Sequence, residues 1–185
     1  QTWPQKPVRL IVPFPPGGAA ELGARIFVQP LSQALGQPVI IEPKAGADGA
    51  IASEYVKQAA PDGYTLYYAT NTGFCWVPAT RKSPTYDPVA DFTPVSMVGT
   101  FRFFLIAHPS APVKSVGELI AYARANPGKL NYGTGNSTSM LSTAQLALQE
   151  KLDMVHIPYK GDGPLSIDLL GGRVQLAIAT PGTLA

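Results

Sequence analysis

The chain has 185 residues, of which 45% are apolar and only 14% charged, with a formal net charge of +2. That is enough apolar material for one ordinary domain or two small ones, and too little clustered charge for a nucleic-acid surface. No apolar run approaches the roughly 20 residues of a membrane span, and one cysteine with two histidines excludes an internal disulfide or a Cys/His metal cluster.

The residues VRLIVPF predict a buried first strand. The loop PFPPGGAAELGAR, Pro13 to Arg25, follows it. A glycine pair where a strand turns into a helix lets backbone approach a ligand, and the helix start offers free N–H groups and a positive dipole end. This suits a carboxylate or phosphate. The loop carries no lysine, histidine or cysteine, so it is built to hold rather than to react. Neither a phosphate-binding P-loop nor a G-x-G-x-x-G fingerprint is present. A tight structural turn is the plain alternative.

Glu21 to Leu35 has helical periodicity, with Pro30 expected to kink or interrupt it. PVIIEP predicts a second strand. KAGADG leads into the helix GAIASEYVKQAA, with Asp48 as its expected N-cap. The turn PDG precedes the strand YTLYYAT. Strands alternating with helices argue for parallel βαβ units. The proline-rich stretch Asn71 to Pro94 is expected to cross the surface with one helical turn, and the apolar runs VSMVGT and FFLIAH to carry the chain from one domain to the next.

The second half repeats the pattern. SVGELIAYARANPG predicts a helix with Ser115 and Glu118 spaced as a capping box. KLNYGTG is a strand, GNSTS opens a helix, DMVHIPYKG is a strand and loop, PLSIDLLGG is a helix and RVQLAIAT a strand. Each half thus has a strand ending in a small-residue loop at a helix start, and open α/β sheets take ligands beyond the carboxyl ends of their strands. The expected fold class is α/β, with a first domain over 1–100 and a second over 101–185. In GTGNSTS, Ser137 or Ser139 could serve only as a helix cap. A nucleophilic serine is the rival reading and needs His108 or His156 as base; each histidine reads better as packed and hydrogen-bonded. Lys160 and Arg25 read as solvated or surface-paired, Glu21 as a first-turn acid, and Cys75 and Trp76 as part of the long loop.

The ordered motifs PFxxGG…AR, LGQPVIIEPKAGADGAIA, APDGYTL, DFTPVS, HPS, VGELIAYARANPGKLNYGTG and HIPYKGDGP…LLGGRVQLA resemble the Bug family, the extracytoplasmic solute receptors of tripartite tricarboxylate transporters. The resemblance runs from Pro4 to Leu176. It implies a type II periplasmic-binding-protein fold, two βαβ domains around a cleft, a small organic carboxylate as ligand, no cofactor, no catalysis, a periplasmic location after signal-peptide removal, and delivery to membrane permease subunits. A sensing module that signals to a partner protein is the alternative, with a serine acyl-transfer enzyme behind it.

The resemblance also implies a site. In the first ligand loop, Phe14, Pro16, Gly17, Gly18, Ala19 and Ala20 would hold one carboxylate through backbone amides, with the aromatic covering it. Thr70 and Asn71 match a second wall of the first domain. Gly135, Asn136, Ser137, Thr138 and Ser139 match the loop that holds the other end of the ligand. Tyr159 and Gly161 belong to the YKG element, and Ala179, Thr180 and Pro181 to the loop after the last strand. Departures from the pattern are Glu21 for the usual Asp, Met140 for a frequent His, and Ala179 for a frequent acid. Members of the family continue further, so the second crossover and the C-terminal return are expected to be missing. The apolar surface this would uncover invites a homodimer or domain swap.

Overall fold

The computed structural model describes residues 3–180. The chain divides into two compact units that part between Val98 and Gly99.

In the first unit, Val8–Val12 forms β1, Ala19–Leu35 α1, Val39–Pro43 β2, Ala50–Lys57 α2 and Thr65–Tyr67 β3. The sheet order is β2-β1-β3, all parallel. The central strand β1 is almost entirely buried, as an apolar run covered on both faces must be. Val8, Leu10 and Val12 pack with Ala20 and Ala24 of α1, and Phe14 and Phe27 lie against this cluster. Helix α1 runs unbroken through Pro30. Ile26 and Pro30 both face solvent, so water can satisfy the carbonyl that loses its donor, and the expected interruption does not occur.

Asp48 is not the cap of α2. It sits in a left-handed conformation (φ 56°) inside a 3-10 turn, Ala47–Gly49, and Gly49 occupies the cap position without a side-chain bond. The following stretch is more helical than expected: a π-turn over Thr72–Trp76 runs directly into α3, Val77–Thr80.

The second unit contains β4 (Phe104–Ala107), α4 (Val116–Ala125), β5 (Asn131–Thr134), α5 (Ser137–Glu150), β6 (Val155–Pro158), α6 (Asp162–Leu170) and β7 (Leu176–Ala179). Its sheet order is β4-β7-β5-β6. Strands β5, β6 and β7 are parallel, and β4, from the run FFLIAH expected only to carry the chain between domains, is a strand antiparallel to β7. Leu119, Leu130, Tyr132 and Leu176 form one core cluster, and Leu165, Leu169, Ala177 and Ala179 another. Ser115 caps α4 by accepting the Glu118 N–H at 3.2 Å. Glu118 returns a bond from the Lys114 N–H at 2.7 Å, one residue before the cap.

Candidate ligand-binding site

In the first unit, β1 pairs in parallel with β3, Ile11 level with Tyr67, and the Tyr68 N–H donates to the Ile11 carbonyl at 2.9 Å. Both strands therefore end at one edge of the sheet. From that edge issue the Phe14–Ala20 loop and the segment beginning at Thr70. Gly17 has φ 79°, a left-handed turn that glycine adopts without strain. Its N–H donates to the Glu21 carboxylate at 2.7 Å, and Arg25 binds the same carboxylate from one turn along. The Gly17 N–H and then Arg25 hold the Glu21 carboxyl below its ordinary range. Glu21 thus buttresses the loop, and the Gly17 amide is already engaged.

Gly18 is the N-cap of α1, and no side chain caps this helix start. The first-turn amides beyond Gly18 have no intrahelical partner by construction. Thr70 adds a buried hydroxyl oxygen with no hydrogen-bond partner among the described residues. Beneath this edge lies a polar pin that the sequence did not announce. The Tyr67 hydroxyl contacts Ser53 Oγ at 3.0 Å and donates to the Gly49 carbonyl at 3.3 Å, and the Tyr86 hydroxyl donates to the Gly73 carbonyl. Burial pushes the Tyr67 phenol far above its usual range, so it serves only as a neutral hydroxyl. Asn71 lies exposed next to Thr70.

In the second unit, the parallel strands β5, β6 and β7 likewise end at one edge. Thr134 is level with Pro158, and Gly133 with both Ile157 and Ala177. The Tyr159 N–H donates to the Thr134 carbonyl at 2.8 Å. Gly135 is a packing necessity: a Cβ there would overlap Asp162 Oδ1 and stand 2.7 Å from both the Asp162 nitrogen and the Gly161 carbonyl carbon. The N-terminus of α5 is closed from within. Asn136 Oδ1 accepts the Ser139 N–H at 3.0 Å, the Asn136 N–H meets Ser139 Oγ at 3.4 Å, and Ser139 Oγ donates to the Asn136 carbonyl at 2.8 Å. The cap is therefore Asn136, not Ser137 or Ser139. Asn136 Nδ2 donates at 3.0 Å to Asp162 Oδ1. Thr138 is half-buried within the first turn.

The Tyr159 hydroxyl donates to Asp168 Oδ2 at 2.8 Å, and Arg173 binds the other oxygen of that carboxylate. Burial and then the neighbouring Asp168 carboxylate push the Tyr159 phenol up to about 12. The proton of this hydroxyl is thus committed within the unit. Ala179 and Thr180 are buried at the end of β7. Pro181 lies outside the described residues.

The imidazoles bond to hydroxyls other than that of Ser139. His108 Nδ1 accepts the Ser110 N–H at 3.1 Å and contacts Ser110 Oγ at 2.8 Å. His156 Nε2 contacts Thr134 Oγ1 at 2.7 Å, and its ring stacks on Tyr132. Ser139 Oγ spends its proton on the Asn136 carbonyl. No His/Cys/Asp/Glu cluster able to hold a metal occurs among the described residues.

Residues 24–185 match the model of the tripartite tricarboxylate transporter family receptor. The chain belongs to this family. It is 37% identical over 180 residues to protein BugT of Bordetella pertussis, covering 96% of this chain and 55% of that one. It superposes on Rpa4515 of R. palustris, solved with adipate, at a TM-score of 0.88 and 36% identity, over 98% of this chain and 62% of that one. MatC (Rpa3494) from Rhodopseudomonas palustris with bound malate gives 0.83 and 31%, over 96% and 61%. The fold is that of these periplasmic solute-binding proteins, and the family is one of receptors rather than enzymes. The chain spans about half the length of the curated relatives it matches.

Proposed function

We propose that this protein is a periplasmic receptor that captures a small organic carboxylate and delivers it to the membrane subunits of a tripartite tricarboxylate transporter. The observation that carries the reading is the uncapped start of α1 at Gly18, beyond the carboxyl end of β1. Free amides and a positive dipole end there form an anion site with no reactive side chain. The orphan Thr70 hydroxyl at the same sheet edge supports it by offering one more donor. Adipate and malate, present in the two related structures, are both carboxylates. No helix among the described residues is long and apolar enough to cross a membrane.

Micromolar capture requires about 8 kcal/mol. Charge-assisted hydrogen bonds at roughly 1.5–3 kcal/mol each supply this from a few amides and hydroxyls, less the cost of ordering the ligand. In this reading the first unit takes a carboxylate at the start of α1, and the Gly135–Ser139 and Tyr159–Gly161 segments of the second unit are further candidate ligand contacts.

The test is a thermal-shift screen of carboxylic acids, each paired with its neutral amide, on the parent chain and on Gly18→Val. Gly18 has φ −89° and ψ 167°, an extended conformation that valine accepts. A Cβ there meets only the Pro15 carbonyl, at 3.5 Å. The variant should fold normally while its side chain screens the amides. An acid at 100 times its Kd should stabilise the parent by about 2.7 kcal/mol, with no shift from the amide and none in Gly18→Val. Equal shifts from acid and amide, or undiminished binding in the variant, would overturn the reading.

A further inference from the structure

A glycine pair between a strand and a helix start is a general architecture for phosphate and sulfate as well as for carboxylate. What separates these anions in the first unit is Glu21. It lies in the first turn of α1, three residues past the cap Gly18. The Leu22 N–H bonds within the helix, to the Gly18 carbonyl at 3.1 Å. The amides of Ala19, Ala20 and Glu21, ahead of it, are the first-turn groups with no partner inside the helix. The Gly17 amide would extend this run around an anion, but Glu21 Oε2 accepts it at 2.7 Å. The protein's own carboxylate thus fills one place in the loop.

Charge acts in the same direction. The Gly17 amide and then Arg25 hold the Glu21 carboxyl below its ordinary range, so it is ionised at neutral pH. Arg25 binds Glu21 Oε1, but the Arg25 side chain is 65% exposed against 12% for Glu21. Water and salt screen the guanidinium more than the carboxylate, so the acid outweighs the base at the loop. Repulsion grows with the charge of the incoming group. A carboxylate brings one charge on two oxygens, which the remaining amides and the orphan Thr70 hydroxyl at the same sheet edge can serve. Sulfate or hydrogen phosphate brings two charges to one point and more oxygens to satisfy. It meets a stronger repulsion and finds one amide too few.

We propose that Glu21 is a specificity-determining residue of the α1 site, which excludes sulfate and phosphate by occupying the Gly17 amide and by presenting like charge to a dianion. This rests on the carboxylate-receptor reading above and lies wholly within the first unit.

Isothermal titration calorimetry of the 185-residue chain at pH 7.5 and constant ionic strength tests this. The titrants are succinate, malate, adipate, citrate, benzoate and glutamate, with sodium sulfate and inorganic phosphate beside them. The tightest carboxylate should bind the parent at least ten-fold better than sulfate or phosphate. In Glu21→Gln, whose amide oxygen can still accept the Gly17 N–H, that ratio should fall five-fold or more. Glu21→Ala removes the charge and also frees the Gly17 amide. It should lower the ratio at least as far, and it serves if Glu21→Gln does not fold. Sulfate or phosphate binding the parent as tightly as the best carboxylate, or a ratio unmoved in a folded variant, overturns the inference while leaving the carboxylate receptor standing. No binding by any of these carboxylates overturns the receptor reading and this inference with it.

Discussion

At the scale of single residues, Asp162 shapes how the fold responds to pH. Burial raises its carboxyl above the ordinary 3.8, and the Asn136 amide pulls it part of the way back. A carboxyl whose folded value lies above its unfolded one contributes its stability fully below the unfolded value. That contribution is lost as pH rises through the folded value. Asp162→Asn removes the titration. The melting temperature of the variant relative to the parent should therefore climb as pH is raised from 4.5 to 7.5, read by differential scanning calorimetry. A difference that falls over this range would mean that the ionised form is the one the fold stabilises. Glu21 and Glu42 act in the opposite sense. The Gly17 amide with Arg25, and Arg9, hold their carboxyls down, so their contribution fades as pH drops below the ordinary 4.5 toward the lowered folded values, and it is common to both proteins. Nothing in the sequence singled Asp162 out, because an acid in the first turn of a helix is ordinarily an exposed partner of the dipole. Its burial comes from the close approach of Gly135, a contact between positions 27 apart.

At the scale of elements, the helix starts separate what was legible from what was not. Ser115 and Glu118 were readable because one hydroxyl and one acid at cap spacing leave little choice. In Asn136-Ser137-Thr138-Ser139 every residue is a good cap, so local preference could not rank them. The choice falls on Asn136, whose amide group can cap α5 and bind Asp162 together. Asp48 misled for the converse reason: it tolerates left-handed backbone and was used for that, with Gly49 taking the cap. Alanine substitutions should show the difference. Ser115→Ala loses one cap bond and should cost ~1 kcal/mol. Asn136→Ala loses a cap bond and leaves a buried carboxylate without its donor, and should cost at least about twice as much. Urea unfolding of the two variants checks the ratio, and equal costs would show that the Asn136–Asp162 bond carries little.

On the scale of the whole chain, the two-fold repetition of strand, loop and helix was legible, because parallel units write themselves as alternating buried runs and amphipathic stretches. The direction of β4 was not, because a short apolar run reads the same either way. The candidate ligand loops were expected from their sequence motifs, but the way each spends its hydrogen bonds appeared only with the tertiary contacts. Between the units, residues 93–103 have no regular structure, and Val95 and Met97 are more than four-fifths exposed. Such a stretch is where proteases enter first. Brief treatment with trypsin should cut after Arg102, and after Arg81 or Lys82 in the preceding exposed loop, before it cuts within α1, α4 or α5. Mass spectrometry of the early fragments tests this, and early cleavage inside those helices would contradict it.

The strand order β4-β7-β5-β6 has a consequence for how the protein is made. The last described strand, β7, is not at the rim of its sheet but inside it, between β4 and β5. Phe104 pairs with Ala179, seventy-five positions further on. The three described strands of the first unit can pair as soon as β3 leaves the ribosome, since they lie within the first 67 residues. The second unit must hold β4 unpaired until β7 has been synthesised, because β4 has no other described partner strand. Pairing of β4 is therefore gated by synthesis of β7, and a nascent chain stalled before Leu176 would carry the β2-β1-β3 pairing and one open pair, β5-β6, with a waiting strand.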